Sequence, residues 1–403
     1  MEASLTAPTA AHGGLPIPEL QTSSVDTGPI RRDGFLQIRV AGGPYEMGLQ
    51  HGEQLRDEIR GLLDATYHHV LNGQPGVVGW GSRGLVRTTT RFMEPFIPKR
   101  YRQEIAGVAR GADVPYADIL LLSCFDDVLA NLRLLGEVFG RLGCSTFALL
   151  PERTDEGELI CGRNLDYFVQ SARGDDVWAA TNYMKEHVAV IEFAPRDGAE
   201  FISVGWPGFV GTVTAMSRNQ MVVGSMTIAS RWNWAMATPS PFLYRHIMER
   251  ASTLGEGVDI LTRAKRTQAN NVLIGSGTEG KAAVVEYTPW GMATRPAQDG
   301  WVAATNHFND PCMSRSRGLS PYRNSFERFD RLSDLCTAGG LTSLDGAASF
   351  LADVQRRTSE STEDCVLLNP STLYSTLFAP ERGRLWVRTA DRPARRFEEV
   401  AFV

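Results

Sequence analysis

The sequence has no run of about eighteen apolar residues, the length that a helix needs to cross a membrane. Its N-terminal stretch also lacks the apolar core of a secretory signal and carries an acidic residue, Glu2. These absences predict a protein of the cytoplasm with no membrane partner.

Dense clusters of basic residues are absent as well. The 403 residues carry a net charge of −5 at pH 7, and the pI is about 5.9. Without a basic block there is no electrostatic reason to expect nucleic acid or an anionic membrane as a partner. A small or neutral substrate fits this charge better.

Cysteine pairs and phosphate loops are also missing. No CxxC spacing occurs, so neither a zinc site nor a disulfide framework is predicted. Gly205, Gly208 and Gly211 do not form a G-x-G-x-x-G or Walker pattern. We therefore expect no metal and no cofactor, and reduced thiols at the six cysteines, which are Cys124, Cys144, Cys161, Cys312, Cys336 and Cys365.

What is present is a predicted β-hairpin, GCSTFALLPERTDEGELICGRNLDYF, over residues 143–168. An alternating run over 145–150 precedes a polar turn at 155–157, and a second apolar run follows over 158–168. Cys144 begins the first strand directly after Gly143. If the bond between them were cut, Cys144 would carry both a thiol nucleophile and a free α-amine able to act as its base.

The sequence Gly–Cys–Ser–Thr, followed by a hairpin and Gly–Arg–Asn–Leu–Asp–Tyr, resembles the nucleophile hairpin of cysteine-type N-terminal-nucleophile (Ntn) hydrolases. The penicillin (isopenicillin N) acyltransferase family, also called peptidase C45, is the nearest, with acid ceramidases and choloylglycine hydrolases as cousins. The resemblance implies an α+β fold, a four-layer αββα sandwich of two antiparallel sheets flanked by helices. It also implies that Arg163 and Asp166 lie beside Cys144. The alternative is that Cys144 is a small buried residue opening a core strand.

The domain organisation follows from this assignment. Residues 1–32 are predicted to form a flexible tail, 33–143 an N-terminal precursor segment with helices over 44–71, 92–111 and 116–135, and 144–403 the catalytic αββα domain. Further strands are predicted over 187–195, 200–219, 220–229, 270–277, 281–289, 300–308, 373–380 and 384–390, with helices over 241–251, 257–264, 323–335 and 341–354.

The segment Thr305–Asn306–His307–Phe308 resembles one near the family's active site, where an Asn amide on the corresponding strand is the oxyanion donor. An amide donor of this kind stabilises developing charge, and its loss costs about 10²–10³ in rate. The alternative for Asn306 is an amide that caps a turn. Relatives also carry an active-site Arg where Arg328 lies, although an ordinary solvated helix Arg is the other interpretation.

Substrate-binding candidates are Thr227, Trp206 and His307. Bile-salt relatives have an Asn where Thr227 stands, so a hydroxyl would have to replace that donor, and the acyltransferase branch is favoured. Trp206, Phe209, Trp232 and Trp234 are candidates for an apolar acyl pocket, although aromatic residues at such positions are core at least as often.

Two other pairs are interpreted as structural. Asp126 and Asp127 are expected on a polar helix face and are left out of the site. His68 and His69 are adjacent on a helix and point about a hundred degrees apart, with no carboxylate at metal-binding spacing.

These observations predict an enzyme that cuts itself between Gly143 and Cys144 and forms an acyl-cysteine with a small amide or acyl thioester. Water or an amine then accepts the acyl group. We expect the small and large subunits to stay associated, and a homodimer is left open. The alternatives are an amide-forming acyltransferase, a papain-like protease using His307 as the base, and a non-catalytic protein on the same scaffold.

Overall fold

The computed structural model describes residues 29–32, 34–67, 86–131, 143–167, 179–230, 232–314, 323–359, 361–362, 365–389 and 396–403. The strands are β1 Ile30–Arg31, β2 Phe35–Gly42, β3 Cys144–Leu149, β4 Ile160–Asp166, β5 Val188–Pro195, β6 Phe201–Gly205, β7 Thr214–Ser217, β8 Met221–Thr227, β9 Asn270–Ser276, β10 Lys281–Tyr287, β11 Met292–Pro296, β12 Trp301–Ala304, β13 Thr372–Ala379, β14 Arg384–Thr389 and β15 Glu398–Ala401. The helices are α1 Pro44–Gln54, α2 Arg56–Ala65, α3 86–93, α4 Lys99–Ala112, α5 Tyr116–Asn131, α6 Ala179–Glu186, α7 Ser240–Arg250, α8 Leu254–Arg263, α9 Pro311–Ser314, α10 Arg323–Thr337 and α11 Leu344–Leu351.

The strands form two sheets. The nine-stranded sheet has the order β1-β2-β5-β6-β7-β8-β9-β10-β11, and the six-stranded sheet has the order β12-β3-β4-β13-β14-β15. The prediction that both sheets are antiparallel is wrong for one pair, because β2 and β5 run parallel. The chain between these two strands contains several helices and the β3–β4 hairpin of the other sheet, and parallel neighbours require a long crossover.

The sheets pack face to face. Strands β3 and β12 contact β8, β9 and β10 across the interface, α10 and α11 pack on the six-stranded sheet, and α7 and α8 pack on the nine-stranded one. The protein therefore has an α+β architecture with two contacting sheets and helices on both.

The predicted hairpin is present as β3 and β4. Cys144 pairs with Leu165 and Thr146 pairs with Arg163 in an antiparallel register. Every residue of both strands is buried, as expected for strands covered on both faces. Phe168, which ends the predicted hairpin, lies outside the described residues.

The N-terminal segment is joined to the rest of the chain. Its strand β2 is hydrogen-bonded to β5 along eight residues. Helix α1 packs closely on α4, where a Cβ at Gly48 would lie 2.1 Å from the carbonyl oxygen of Glu104. A glycine is therefore required at this crossing.

Some boundaries differ from the predictions. The single helix predicted over 44–71 is two helices that break at Leu55, where φ is −116° and ψ is 29°. Ile30 and Arg31, expected in the flexible tail, pair with β2. Residues 1–28, His68 and His69 lie outside the described residues. No described helix is long and apolar enough to cross a membrane.

Candidate active site

Cys144 occupies the first position of β3 and is 6% exposed. Its Sγ is 3.7 Å from Nη2 of Arg163 and 3.9 Å from the carbonyl oxygen of Asp166. Burial raises the pKa of the Cys144 thiol, and the positive charge of Arg163 opposes that rise. The hairpin register thus places a cation against the predicted nucleophile.

Arg163 is fixed between the two sheets. Its guanidinium donates to the carbonyl oxygen of Val213 at 2.9 Å, to the hydroxyl of Thr214 and to the carbonyl oxygen of Ser225. A Cβ at Gly224 would lie 3.1 Å from Cδ of Arg163, so this glycine leaves room for the side chain. These contacts hold the guanidinium beside Sγ of Cys144.

Asp166 ends β4 and is fully buried. Its Oδ1 accepts a hydrogen bond from Thr372 at 2.6 Å, and its Oδ2 accepts one from Asn369 at 2.9 Å. Burial raises its pKa to about 6, against the opposing charge of Arg328. Both oxygens are therefore held by donors that come from the chain just before β13 and from its first residue.

Asn306 follows β12 and lies directly on Cys144. Its Oδ1 accepts from the backbone N–H of Cys144 at 2.6 Å and from Nη2 of Arg328 at 3.2 Å, while its Nδ2 donates to the carbonyl oxygen of Thr227 at 2.9 Å. Two donors on one side and an acceptor on the other fix which end of the amide is oxygen. The amide is therefore oriented by all three neighbours.

Arg328, on α10, is completely buried and contacts the same residues. Its Nη1 donates to the carbonyl oxygen of Cys144 at 2.6 Å and to Oγ of Ser145 at 3.0 Å. The other interpretation, a solvated helix Arg, is wrong because the side chain has no exposure.

Gly143 precedes Cys144 at the predicted cleavage position and is buried. A Cβ there would lie 2.9 Å from Oδ2 of Asp166 and 3.2 Å from Cζ of Arg328. Contacts under about 3.0 Å force a shift of the neighbours, so the position has no space for a side chain.

A small cavity lies against Sγ of Cys144 and encloses about 20 Å³, room for about one water molecule. Its walls come from the hairpin, from β8, from the segments flanking β6 and β7, and from α5. The lining residues are Asp126, Cys144, Arg163, Leu165, Asp166, Tyr167, Trp206, Val213, Ser225, Thr227 and Asn306.

Two of the predicted substrate-binding residues line this cavity. Thr227 does so at the end of β8, and Trp206 does so after β6, where its ring stacks on Phe209 with centroids 4.3 Å apart. Phe209, a candidate for the acyl pocket, is buried behind Trp206 and is not in the lining.

His307 does not line the cavity. Its ring packs against Phe326 with centroids 4.1 Å apart, and Nδ1 lies 2.8 Å from Oγ of Ser325. The ring thus contacts Ser325 and Phe326 and not Cys144, so a Cys–His pair as in papain-like proteases has no support. The expectation that His307 binds substrate stays a prediction.

Trp232 and Trp234 are also absent from the cavity lining, and they are 57% and 42% exposed. Trp234 instead contacts Trp290, with ring centroids 5.8 Å apart. The prediction that these residues form an acyl pocket is wrong because the segment after β8 runs over the surface.

Sequence reasoning missed Asp126 and Tyr167. Asp126 lies on α5 and lines the cavity, and it accepts a hydrogen bond from the phenol of Tyr167. The expectation of a polar helix face is wrong for its neighbour too, because Asp127 is 0% exposed and accepts from the backbone N–H of Ser240 at 3.1 Å. The low amphipathicity of α5 was the available signal, since a helix apolar on most faces is usually buried.

Comparison with known proteins adds the family. A family model described as "Acyl-coenzyme A:6-aminopenicillanic acid acyl-transferase" matches residues 153–394. The chain belongs to this family. The predicted resemblance is thereby confirmed, and the acyl-transferase match includes Arg163, Asp166, Asn306 and Arg328 but begins after Cys144.

Individual relatives are distant. An uncharacterized protein of Archaeoglobus fulgidus is 26% identical over 351 residues, 75% of this chain and 55% of the relative. The acyl-coenzyme A:6-aminopenicillanic-acid-acyltransferase 40 kDa form of Emericella nidulans is 23% identical over 319 residues, 79% of this chain and 80% of the relative. Acid ceramidase of Homo sapiens is 21% identical over 204 residues, 47% of each chain. The chain spans about half the length of the first curated relatives it matches.

Two solved structures show limited similarity. The Caenorhabditis elegans ortholog of N-acylethanolamine-hydrolyzing acid amidase has a TM-score of 0.41 at 17% identity, over 59% of this chain and 93% of that one. A mutant of conjugated bile acid hydrolase from Clostridium perfringens has a TM-score of 0.39 at 13% identity, over 64% of this chain and 92% of that one.

Proposed function

We propose that this protein is a self-processing cysteine Ntn amidohydrolase or acyltransferase. It cuts its own chain between Gly143 and Cys144, and Cys144 then takes the acyl group of a small amide or acyl thioester. The contact between the backbone nitrogen of Cys144 and Asn306 supports this proposal most directly. Family membership and the contacting sheets support the four-layer αββα form of the fold.

The proposed reaction uses groups that already surround Cys144. After cleavage its nitrogen becomes an α-amine, a base whose ordinary pKa is about 7.7–8.0, and the charge of Arg163 opposes the rise that burial causes in the pKa of the Cys144 thiol. The amine can therefore take the thiol proton as Sγ attacks the substrate carbonyl. Arg163 stabilises the thiolate, because its guanidinium lies 3.7 Å from Sγ.

Asn306 and Asp166 have supporting roles in this proposal. Oδ1 of Asn306 orients the amine, and Nδ2, which has a second hydrogen besides the one given to Thr227, donates to the oxyanion. Asp166 keeps Arg163 and Arg328 in place electrostatically. Water then releases a carboxylic acid, or an amine takes the acyl group.

The proposal also implies that processing opens the site. The cavity of about 20 Å³ is too small for an acyl group, so the site has to widen before substrate binds. After cleavage the N-terminal subunit would stay bound to the large subunit as a heterodimer. A cytoplasmic location is part of this proposal and is supported by the six free thiols.

Mass spectrometry tests the proposal directly. The purified protein should yield a fragment beginning at Cys144, and an acyl amide or thioester should add one acyl mass to that fragment. Cys144→Ala should abolish both cleavage and acylation, whereas Cys312→Ala, at an exposed thiol, should change neither. Acylation of another cysteine, or turnover by Cys144→Ala, would contradict the proposal.

An amide-forming acyltransferase is the second candidate, favoured by the family description. A primary amine added to the same assay should then trap the acyl group as an amide in competition with water. Free acid as the sole product at saturating amine would assign the chain to the hydrolases.

A further inference from the structure

Asp126 places a carboxylate of the N-terminal segment in the wall of the Cys144 cavity. It lies on α5, outside the segment matched by the family model. In the other acidic side chain of the wall, Asp166, each oxygen already accepts one hydrogen bond, from Thr372 and from Asn369. Asp126 differs because one of its two oxygens accepts from no described residue.

The hydrogen bonds of Asp126 leave one oxygen available. Among the described residues only Tyr167 donates to it, and that bond is to Oδ1. A carboxylate has about four acceptor positions, so Oδ2 can accept from a group inside the cavity. The two Nη groups of Arg163 are directed at Val213, Thr214, Ser225 and Cys144, and no hydrogen bond joins Arg163 to Asp126.

Aromatic rings lie around the same part of the wall. Tyr167 and Trp206 both line the cavity, with ring centroids 6.4 Å apart and planes at 38°. An aromatic face attracts a cation, and the attraction strengthens when water is excluded. A carboxylate and two aromatic side chains in the wall of one cavity are a suitable environment for an ammonium group and a poor one for an uncharged alkyl chain.

We propose that Asp126, Tyr167 and Trp206 bind an ammonium group of the substrate. The preferred substrate is then an amide or thioester whose acyl part carries a protonated amine, and Asp126 is a specificity-determining residue. This inference rests on the proposed function for its substrate form. Burial raises the pKa of Asp126, and the phenol that donates to it and the charge of Arg163 oppose this rise.

The kinetic test compares matched substrates. Leucine para-nitroanilide and omega-aminohexanoyl para-nitroanilide are each paired with the desamino analogue of the same length. The wild-type protein should favour the ammonium-bearing member of at least one pair. Asp126→Asn should reduce kcat/KM for that substrate by about tenfold or more, through a higher KM. The kcat/KM for the desamino analogue should stay the same. A wild type that prefers the desamino analogues, or equal losses on both members of a pair, would overturn the proposal.

Asp127→Asn is the matched control on the same helix. Asp127 faces Ser240 and Thr267 and is absent from the cavity lining, and burial raises its pKa to about 7, so an amide replaces it with little loss of charge. This control should leave the ratio between the paired substrates unchanged. If it shifts the ratio as much as Asp126→Asn does, the effect belongs to α5 as a whole and the proposal fails.

Two measurements keep the inference separate from the proposed function. Asp126→Asn should still be cut before Cys144, and failure to cut would assign Asp126 to processing and overturn the binding role. If no substrate acylates Cys144 in any variant, the proposed function fails. The ammonium site is then tested by calorimetric titration, which compares the binding of n-butylammonium chloride with that of 1-butanol. Binding of the ammonium by wild type and its loss in Asp126→Asn would support the site, and absence of binding to wild type would overturn it.

Discussion

The backbone N–H of Cys144 donates a 2.6 Å hydrogen bond to Oδ1 of Asn306. The Asn306 amide is held by two further contacts, from Arg328 and to Thr227. In the proposed mechanism cleavage would turn the Cys144 nitrogen into an amine, and Oδ1 would continue to accept one of its hydrogens while the lone pair takes the thiol proton. The contact would then position the base before cleavage creates it.

Substitution of Asn306 tests this positioning. Asn306→Ala removes both the acceptor for the amine and the proposed oxyanion donor, so we expect kcat to fall by about 10²–10³ in protein that has been cut. The pH at which kcat rises should also shift, because the amine loses a partner. Asn309→Ala, at a nearby amide outside the cavity lining, is the control.

A change in thermal stability alone, with normal turnover per cut molecule, would favour the turn-capping interpretation of Asn306. Acylation rates from stopped-flow measurements, normalised to the fraction of cut chain, make this distinction.

Gly143→Ala should slow self-cleavage. The new Cβ would lie 2.9 Å from Oδ2 of Asp166 and 3.2 Å from the guanidinium carbon of Arg328, so one of these side chains must move. Overpacking costs about 1–3 kcal/mol, which corresponds to a rate lower by about 5- to 150-fold. Gels of samples taken during expression and after purification follow the uncut band.

The exposed turn of the hairpin supplies the control for that prediction. Gly157 has a φ of 67° but no neighbour within 4 Å of an added Cβ, so Gly157→Ala should affect stability slightly and leave the cleavage rate unchanged. Normal cleavage of Gly143→Ala would contradict the steric argument.

The hairpin was predictable from its two apolar runs and the polar turn between them. Resemblance to a family suggested that Arg163 and Asp166 lie beside Cys144, and the pairing of β3 with β4 shows how the two strands bring them together. Asn306 and Arg328 come from a strand end and a helix far along the chain, and only resemblance to a family suggested them. Their contacts with Cys144 depend on how α10 packs on the six-stranded sheet.

Asp126 and His307 show what the sequence could not determine. Whether each of them lines the cavity depends on which side of its segment faces Cys144. In an extended segment, a shift of one residue reverses the side that a side chain faces. The parallel pairing of β2 with β5 was equally inaccessible, because it joins segments on opposite sides of Cys144 and leaves no local pattern.

The pKa of Asp166 makes stability depend on pH in a specific direction. Its folded value of about 6 lies above the ordinary 3.8, so the folded protein binds more protons than the unfolded chain between these values. Stability contributed by this group therefore falls as pH rises from about 4 to about 6, by at most about 3 kcal/mol.

Denaturant unfolding of Cys144→Ala and of Cys144→Ala with Asp166→Asn, both uncut, measures that dependence. The difference between their unfolding free energies should change between pH 4 and 6 and become constant above about pH 7. Other buried acids, including Glu104, titrate equally in both proteins and cancel. A difference independent of pH would mean that the pKa of Asp166 is not raised.

The last prediction concerns association of the two pieces. Cleavage before Cys144 gives subunits of roughly 16 and 28.5 kDa by length, and both should remain together in native mass measurements. The β2–β5 pairing crosses the cut. So does the fully buried bidentate pair in which Arg245 of α7 donates to both oxygens of Glu104 of α4, each at 2.7 Å. Glu104→Gln removes one of the two buried carboxylates that pair with Arg245, the one that lies across the cut, while Glu249 on the same helix stays bonded to Arg245 at 2.9 Å. Loss of this buried charge pair weakens the contact between the subunits. The urea concentration that separates the cut subunits should therefore drop sharply.

Arg196→Ala is the control. Its pair with Glu46 also crosses the cut, but the Arg196 side chain is 72% exposed, and such a pair contributes about 0–1 kcal/mol. Equal losses from the two substitutions would show that the subunits are held by the strand pairing and not by the buried charges.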